Sequence, residues 1–133
     1  MNIDKKNKIL DWMRYAQDDL IASEHFYKTM EFPIYRVVCF NAQQSVEKYL
    51  KAYQLFHDIE IIKTHNLSTL ILSLKDFDTQ IINFENKCNL LNGYAVQYKY
   101  PDDFEDLTND DAIESIEIAK KIEKFIKSKI VLQ

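Results

Sequence analysis

The 133-residue chain contains one glycine and two prolines. No other feature restricts its fold so strongly. Glycine supplies the backbone conformations that tight turns need, and proline closes turns and stops helices. A chain this poor in both cannot make the many sharp reversals of a sandwich or barrel of short strands. Long helices with few connections are what it can build, and the hydrophobic periodicity points the same way.

Residues 5–29, KKNKILDWMRYAQDDLIASEHFYKT, place Ile9, Trp12 or Met13, Ala16, Leu20 and Phe26 or Tyr27 on one apolar stripe at three- and four-residue spacing. Phe32-Pro33 should end that helix, because a residue before proline avoids the helical region. The second helix is expected over 33–57, with Pro33 in its first turn and a stripe of Tyr35, Val38, Ala42, Val46 with Tyr49, Tyr53 and Phe56. A shorter helix is expected to start at Thr64, whose hydroxyl would cap it ahead of Leu67, Leu70, Ile71 and Leu74. Residues 78–97 have helical spacing through Ile81, Ile82, Cys88 and Leu91, with Asn92-Gly93 as a stop or kink. In the last helix Thr108 and Asp111 have the spacing of a capping box, followed by Ala112, Ile116, Ala119, Ile122, Ile126 and Ile130. No run alternates with a period of two. The fold class is therefore all-α, an up-and-down helical bundle of about four long helices plus one short helix, forming a single domain over residues 1–133.

Composition narrows the function classes. The chain is 47% hydrophobic and 29% charged, with a net charge of -4, the profile of a folded soluble domain. It has no stretch for a membrane span and no signal peptide, so a cytoplasmic location with no membrane partner is expected. Cys39 and Cys88 form no CxxC pair and read as buried free thiols. No two histidines share a ligating spacing and neither cysteine has a close partner, so no metal is expected. No cofactor is expected either. The mild acidity argues against tight non-specific DNA binding.

One helix stretch asks for an explanation. In AQQSVEKYLKAYQL, residues 42–55, the residues Gln44, Glu47, Lys48 and Lys51 form a polar strip beside the apolar stripe. Residues three and four apart on a helix are neighbours, so Gln43–Glu47, Gln44–Lys48 and Glu47–Lys51 are adjacent pairs. Spacing alone reads this strip as a salt-bridged solvated face. Lys120, Lys121, Lys124, Lys127 and Lys129 crowd the last helix, and the face shared by Lys120, Lys124 and Lys127 is either plain surface or a track for phosphates.

AQQSVEKYLKAYQL, THNL at 64–67, YKYPDD at 98–103 and DDAIESIEIAKKIEKFI at 110–126 together resemble, in order, the motifs of the prokaryotic HEPN domain family. The opening WMRYAQDDLIASEHFY is similar to the family's first helix. The resemblance implies a helical bundle that forms a homodimer, in a protein often encoded beside a minimal nucleotidyltransferase. It also implies a nucleotide or RNA ligand and a role in a toxin–antitoxin or defence-type pair. The abundance of aromatics, 8 Phe, 8 Tyr and 1 Trp, is more than one small bundle readily hides and fits such a dimer.

Ribonucleases of this family use an Arg and a His four to six residues apart near the start of the last helix. Here Arg14 and His25 have ten residues between them, and Arg36 and His57 have twenty. Lys99 stands where the family segment has Arg, and no His follows it. A lysine holds phosphate as a point charge without the guanidinium fork. Catalysis is therefore left open. The candidate phosphate- and nucleotide-binding residues are Lys48, Lys51, Tyr98, Lys99 and Tyr100, with Gln44, Glu47 and His65 as polar organisers. Tyr98 and Tyr100 around Lys99 could stack a base and hold a phosphate. His65, read as lying at a helix start, could accept a hydrogen bond. Two alternatives stand beside nucleotide binding: a non-catalytic dimer that docks a protein partner, and a metal-independent ribonuclease with an atypical site.

Overall fold

The computed structural model describes residues 1–99 and 106–132, with only the helical backbone described for 96–99. The chain runs through α1 (Ile3–Thr29), α2 (Tyr35–Phe56), α3 (Leu67–Leu74), a 3-10 helix (Thr79–Phe84), α4 (Glu85–Lys99) and α5 (Asn109–Lys129). Among the described residues there is no strand, and the four long helices and one short one give the all-helical bundle.

Most of these helices begin where a side chain can satisfy the free amides. The Asn2 side chain accepts from the Lys5 amide at 2.7 Å and opens α1. At α5 the Thr108 hydroxyl accepts from the Asp111 amide at 3.2 Å, and the Asp111 carboxylate accepts from the Thr108 amide at 2.8 Å, completing the capping box. The first helix ends before Phe32-Pro33, as expected, but α2 starts two residues beyond Pro33, with Ile34 as its cap and no side-chain bond there. Thr64 does not cap α3. Asn66 does, its side chain accepting from Ser68 and Thr69, while Thr64 only accepts from the Asn66 amide. Residues 78–97 split into a 3-10 turn capped by Asp78 and then α4, which runs through Asn92-Gly93 without a break.

α2 is the centre. It packs against α1, α3, α4 and α5. The α1–α2 contact is close because small residues meet there. Ala16, Ser23, Ala42 and Ser45 are buried, the Ser23 hydroxyl donates to the Val38 carbonyl and the Ser45 hydroxyl donates to the Ala16 carbonyl, both at 2.7 Å. The core gathers Ile9, Leu20, Tyr49, Leu50, Leu70, Leu91, Ile122 and Ile126. Being surrounded, α2 also buries Gln43, Glu47, Lys51 and Gln54. That overturns the solvated-face reading for part of its polar strip.

Candidate functional site

Glu47 lies on the flank of α2 that faces α1 and the connection before α3. Its residue is 3% exposed and Lys51 is 6% exposed. One carboxylate oxygen of Glu47 accepts from the Lys51 ammonium at 3.0 Å. The other lies 2.8 Å from Nδ1 of His65. Helical spacing brings Lys51 to Glu47, and the fold brings His65. One turn earlier on α2, the Gln43 amide donates to the His65 carbonyl at 3.1 Å, and Gln44 donates to Gln43 at 2.8 Å. Gln43 and Glu47 thus hold His65 by its backbone and by its ring. The Lys51 ammonium also lies 5.6 Å from the centre of the Trp12 ring, a cation–π contact from α1 that covers the pair.

The chemistry follows from this arrangement. A buried ion pair is held by its geometry, since each charge has left water and depends on its partner. A carboxylate can only accept, so the His65 ring presents Nδ1–H to Glu47, and in the neutral ring Nε2 is then the acceptor. The His65 side chain is 72% exposed. The result is an outward-facing imidazole of fixed orientation on a buried carboxylate. Such a group can accept a hydrogen bond from a ligand or take a proton from it. Trp12 connects this cluster to a groove of about 200 Å³ lined by Lys8, Asp11, Trp12 and Tyr15.

The fold brings Gln44, Glu47, Lys51 and His65 into one network and places Lys48 outside it, paired with Asp19 of α1. Tyr98 and Lys99 belong to α4, but their side chains lie outside the described residues, as does Tyr100 altogether. His65 precedes the cap of α3 rather than lying in its first turn, so its environment is set by Glu47 and not by a helix end. The sequence reading missed Gln43 as a grip on His65, and it treated Trp12 as core alone. The signal available was WMRY, which sets Trp12 and Tyr15 three apart on one helix face.

Three buried tyrosines and the two cysteines belong to the packing of the bundle. The hydroxyls of Tyr53 and Tyr94 donate to Asp78 and Asp111 at 2.7 and 3.1 Å, and Tyr49 donates to Glu123. Burial, then those carboxylates, raises all three phenols above the usual range. Burial likewise pushes the Cys39 thiol up to about 11 and the Cys88 thiol up to about 12. Among the described residues no group of His, Cys, Asp and Glu is placed to hold a metal ion, and no helix is long and apolar enough to cross a membrane.

The comparisons with known proteins agree with this architecture. The profile of the HEPN domain matches residues 9–129. The chain therefore belongs to the HEPN domain family. Its fold is similar to that of TT1696 from Thermus thermophilus, with a TM-score of 0.81 and 25% identity over 93% of this chain and 99% of that one. It is also similar to ST0689, an archaeal HEPN homologue, with a TM-score of 0.74 and 25% identity over 92% of this chain and 98% of that one. No curated protein matches it in sequence.

Proposed function

We propose that this HEPN protein binds a nucleotide or RNA, acts as a homodimer, and works with a separately encoded nucleotidyltransferase in a toxin–antitoxin or defence-type pair. The observation that carries the ligand-binding part is the His65 imidazole, exposed to solvent and held by the buried Glu47. Glu47 and Gln43 orient it, Lys51 neutralises the carboxylate, and Trp12 with Tyr15 offers ring faces in the adjoining groove. A base stacks there, Lys8 at the groove meets phosphate, and His65 accepts from a ligand hydroxyl. Lys48, Tyr98, Lys99 and Tyr100 remain candidate contacts to the same ligand. The pairing with a nucleotidyltransferase rests on membership of the family. The homodimer is supported by large apolar side chains left exposed, Leu10, Ile21, Phe32 and Ile34 among them.

Thermal unfolding with a panel of nucleotides and a short RNA tests the ligand. At a concentration one hundred times its Kd, a ligand adds about 2.7 kcal/mol to stability, which is a clear rise in Tm. The rise with a mononucleotide should vanish in His65→Ala, whose own Tm stays near that of the unaltered protein. No shift with any nucleotide or RNA would overturn the reading. Two-fold symmetric docking of a protein partner would then be the function to pursue.

A further inference from the structure

The 3-10 turn and the second half of α5 form a groove of about 380 Å³ lined by Phe84, Lys121, Lys124, Phe125 and Ser128. Its apolar part is a pair of half-buried rings, Phe84 and Phe125, with centres 5.1 Å apart and planes inclined at 60°. Cations surround the rings. The Lys87 ammonium lies 6.0 Å from the centre of Phe84, and the Lys129 ammonium lies 5.4 Å from the centre of Phe125.

Elsewhere on α5 the lysines have partners. Lys120 pairs with Glu24 at 3.3 Å, Lys127 with Glu123 at 3.7 Å, and Lys129 with Asp78 at 3.6 Å. Among the described residues, Lys87, Lys121 and Lys124 have no carboxylate partner. Lys87 instead faces Lys121. Burial, and then the charge and contact of Lys121, holds the Lys87 ammonium below the usual lysine range. Two ammonium groups brought together repel unless an anion lies between them. Three cations with no counter-charge among the described residues, set around two aromatic faces, are complementary to a polyanion that carries flat rings.

We propose that this groove binds single-stranded nucleic acid, with one base stacked against Phe84 and Phe125 and the flanking phosphates on Lys87, Lys121 and Lys124. A duplex keeps its bases stacked on each other and has none to offer the rings. The Ser128 hydroxyl already donates to the Phe125 carbonyl at 2.6 Å, so it can meet a base edge only as an acceptor. The surface shares no residue with the Glu47 cluster and stands independently of what that cluster binds.

The test is fluorescence anisotropy of a labelled oligouridylate with the full chain over a salt series. Three phosphate contacts give a slope of log affinity against log salt of about −2, and Lys121→Gln with Lys124→Gln should reduce it to about −0.7 and weaken binding at least tenfold. Phe84→Leu should weaken binding roughly five- to 150-fold, because a stacked base is worth about 1–3 kcal/mol. Lys120→Gln with Lys127→Gln removes the same charge from the same helix and should leave affinity within about twofold. Circular dichroism confirms that each variant is folded. The proposal is overturned if the unaltered protein does not bind, or if the two double variants weaken binding equally. It is also overturned if duplex RNA or polyglutamate competes as well as the unlabelled single strand, which would make the groove a general or peptide-binding cationic surface.

Discussion

At the scale of single residues, two neighbours in one network should behave in opposite ways. Glu47→Ala leaves the Lys51 ammonium buried without its partner. Breaking a buried pair costs about 3–5 kcal/mol, which for a domain of this size lowers Tm by about 10 °C or more. His65→Ala removes an exposed ring and should change stability by less than about 1 kcal/mol. Thermal unfolding of the two variants checks both. His57 gives a pH prediction. Its ring sits among Tyr53, Phe56 and Phe77, and its Nε2 is buried with no hydrogen-bond partner among the described residues. Burial, aided by Lys5 and opposed by Asp78 and Asp58, lowers its pKa from the ordinary 6.5. The unfolded chain therefore takes up the proton first as the solution is acidified. The stability due to neutral His57 is complete above 6.5 and is lost as pH falls below it towards the lower folded value. His57→Phe should flatten the dependence of Tm on pH over that interval.

At the scale of helices, α4 offers the sharpest prediction. Gly93 lies inside it at an exposed position, and a Cβ there would meet nothing within 4 Å. Gly93→Ala should raise stability by about 0.5–1 kcal/mol, readable as a rise in the urea midpoint with an unchanged slope. The same spot shows why part of the fold was illegible. Asn92-Gly93 has the look of a helix end, yet Asn92 does not cap its own helix. Its side chain accepts from the Leu67 amide at 2.9 Å and donates to Asn66 at 3.2 Å, tying α4 to the start of α3. That long-range bond cannot be read from local spacing. Neither can the choice of Asn66 over Thr64 as the cap of α3. The stripes of α1, α2 and α5 and the Thr108–Asp111 box were legible because each depends on residues a few positions apart. The polar strip of α2 was half legible. Spacing gave the Glu47–Lys51 pair, but its burial depends on Trp12 and His65, which reach it from other elements.

At the scale of the whole molecule, the exposed apolar residues set an expectation about assembly. Phe32 is 81% exposed between the first two helices, and Ile21 and Leu10 are open on α1. Light scattering at micromolar concentration should give twice the mass of one chain, and Phe32→Ser should shift the balance towards the monomer. Hydrogen exchange should be slowest in α2, against which α1, α3, α4 and α5 all pack. The two cysteines extend this. Cys39 sits on the central helix and Cys88 on α4, both fully buried and both with raised thiol pKa values. A thiol reagent can reach neither until its helix opens, and once open each thiol regains ordinary reactivity. The molecule thus carries two internal clocks, one on its hub and one on a peripheral helix. Separate labelling rates would show α4 peeling away alone, and a single shared rate would show the bundle opening as one unit.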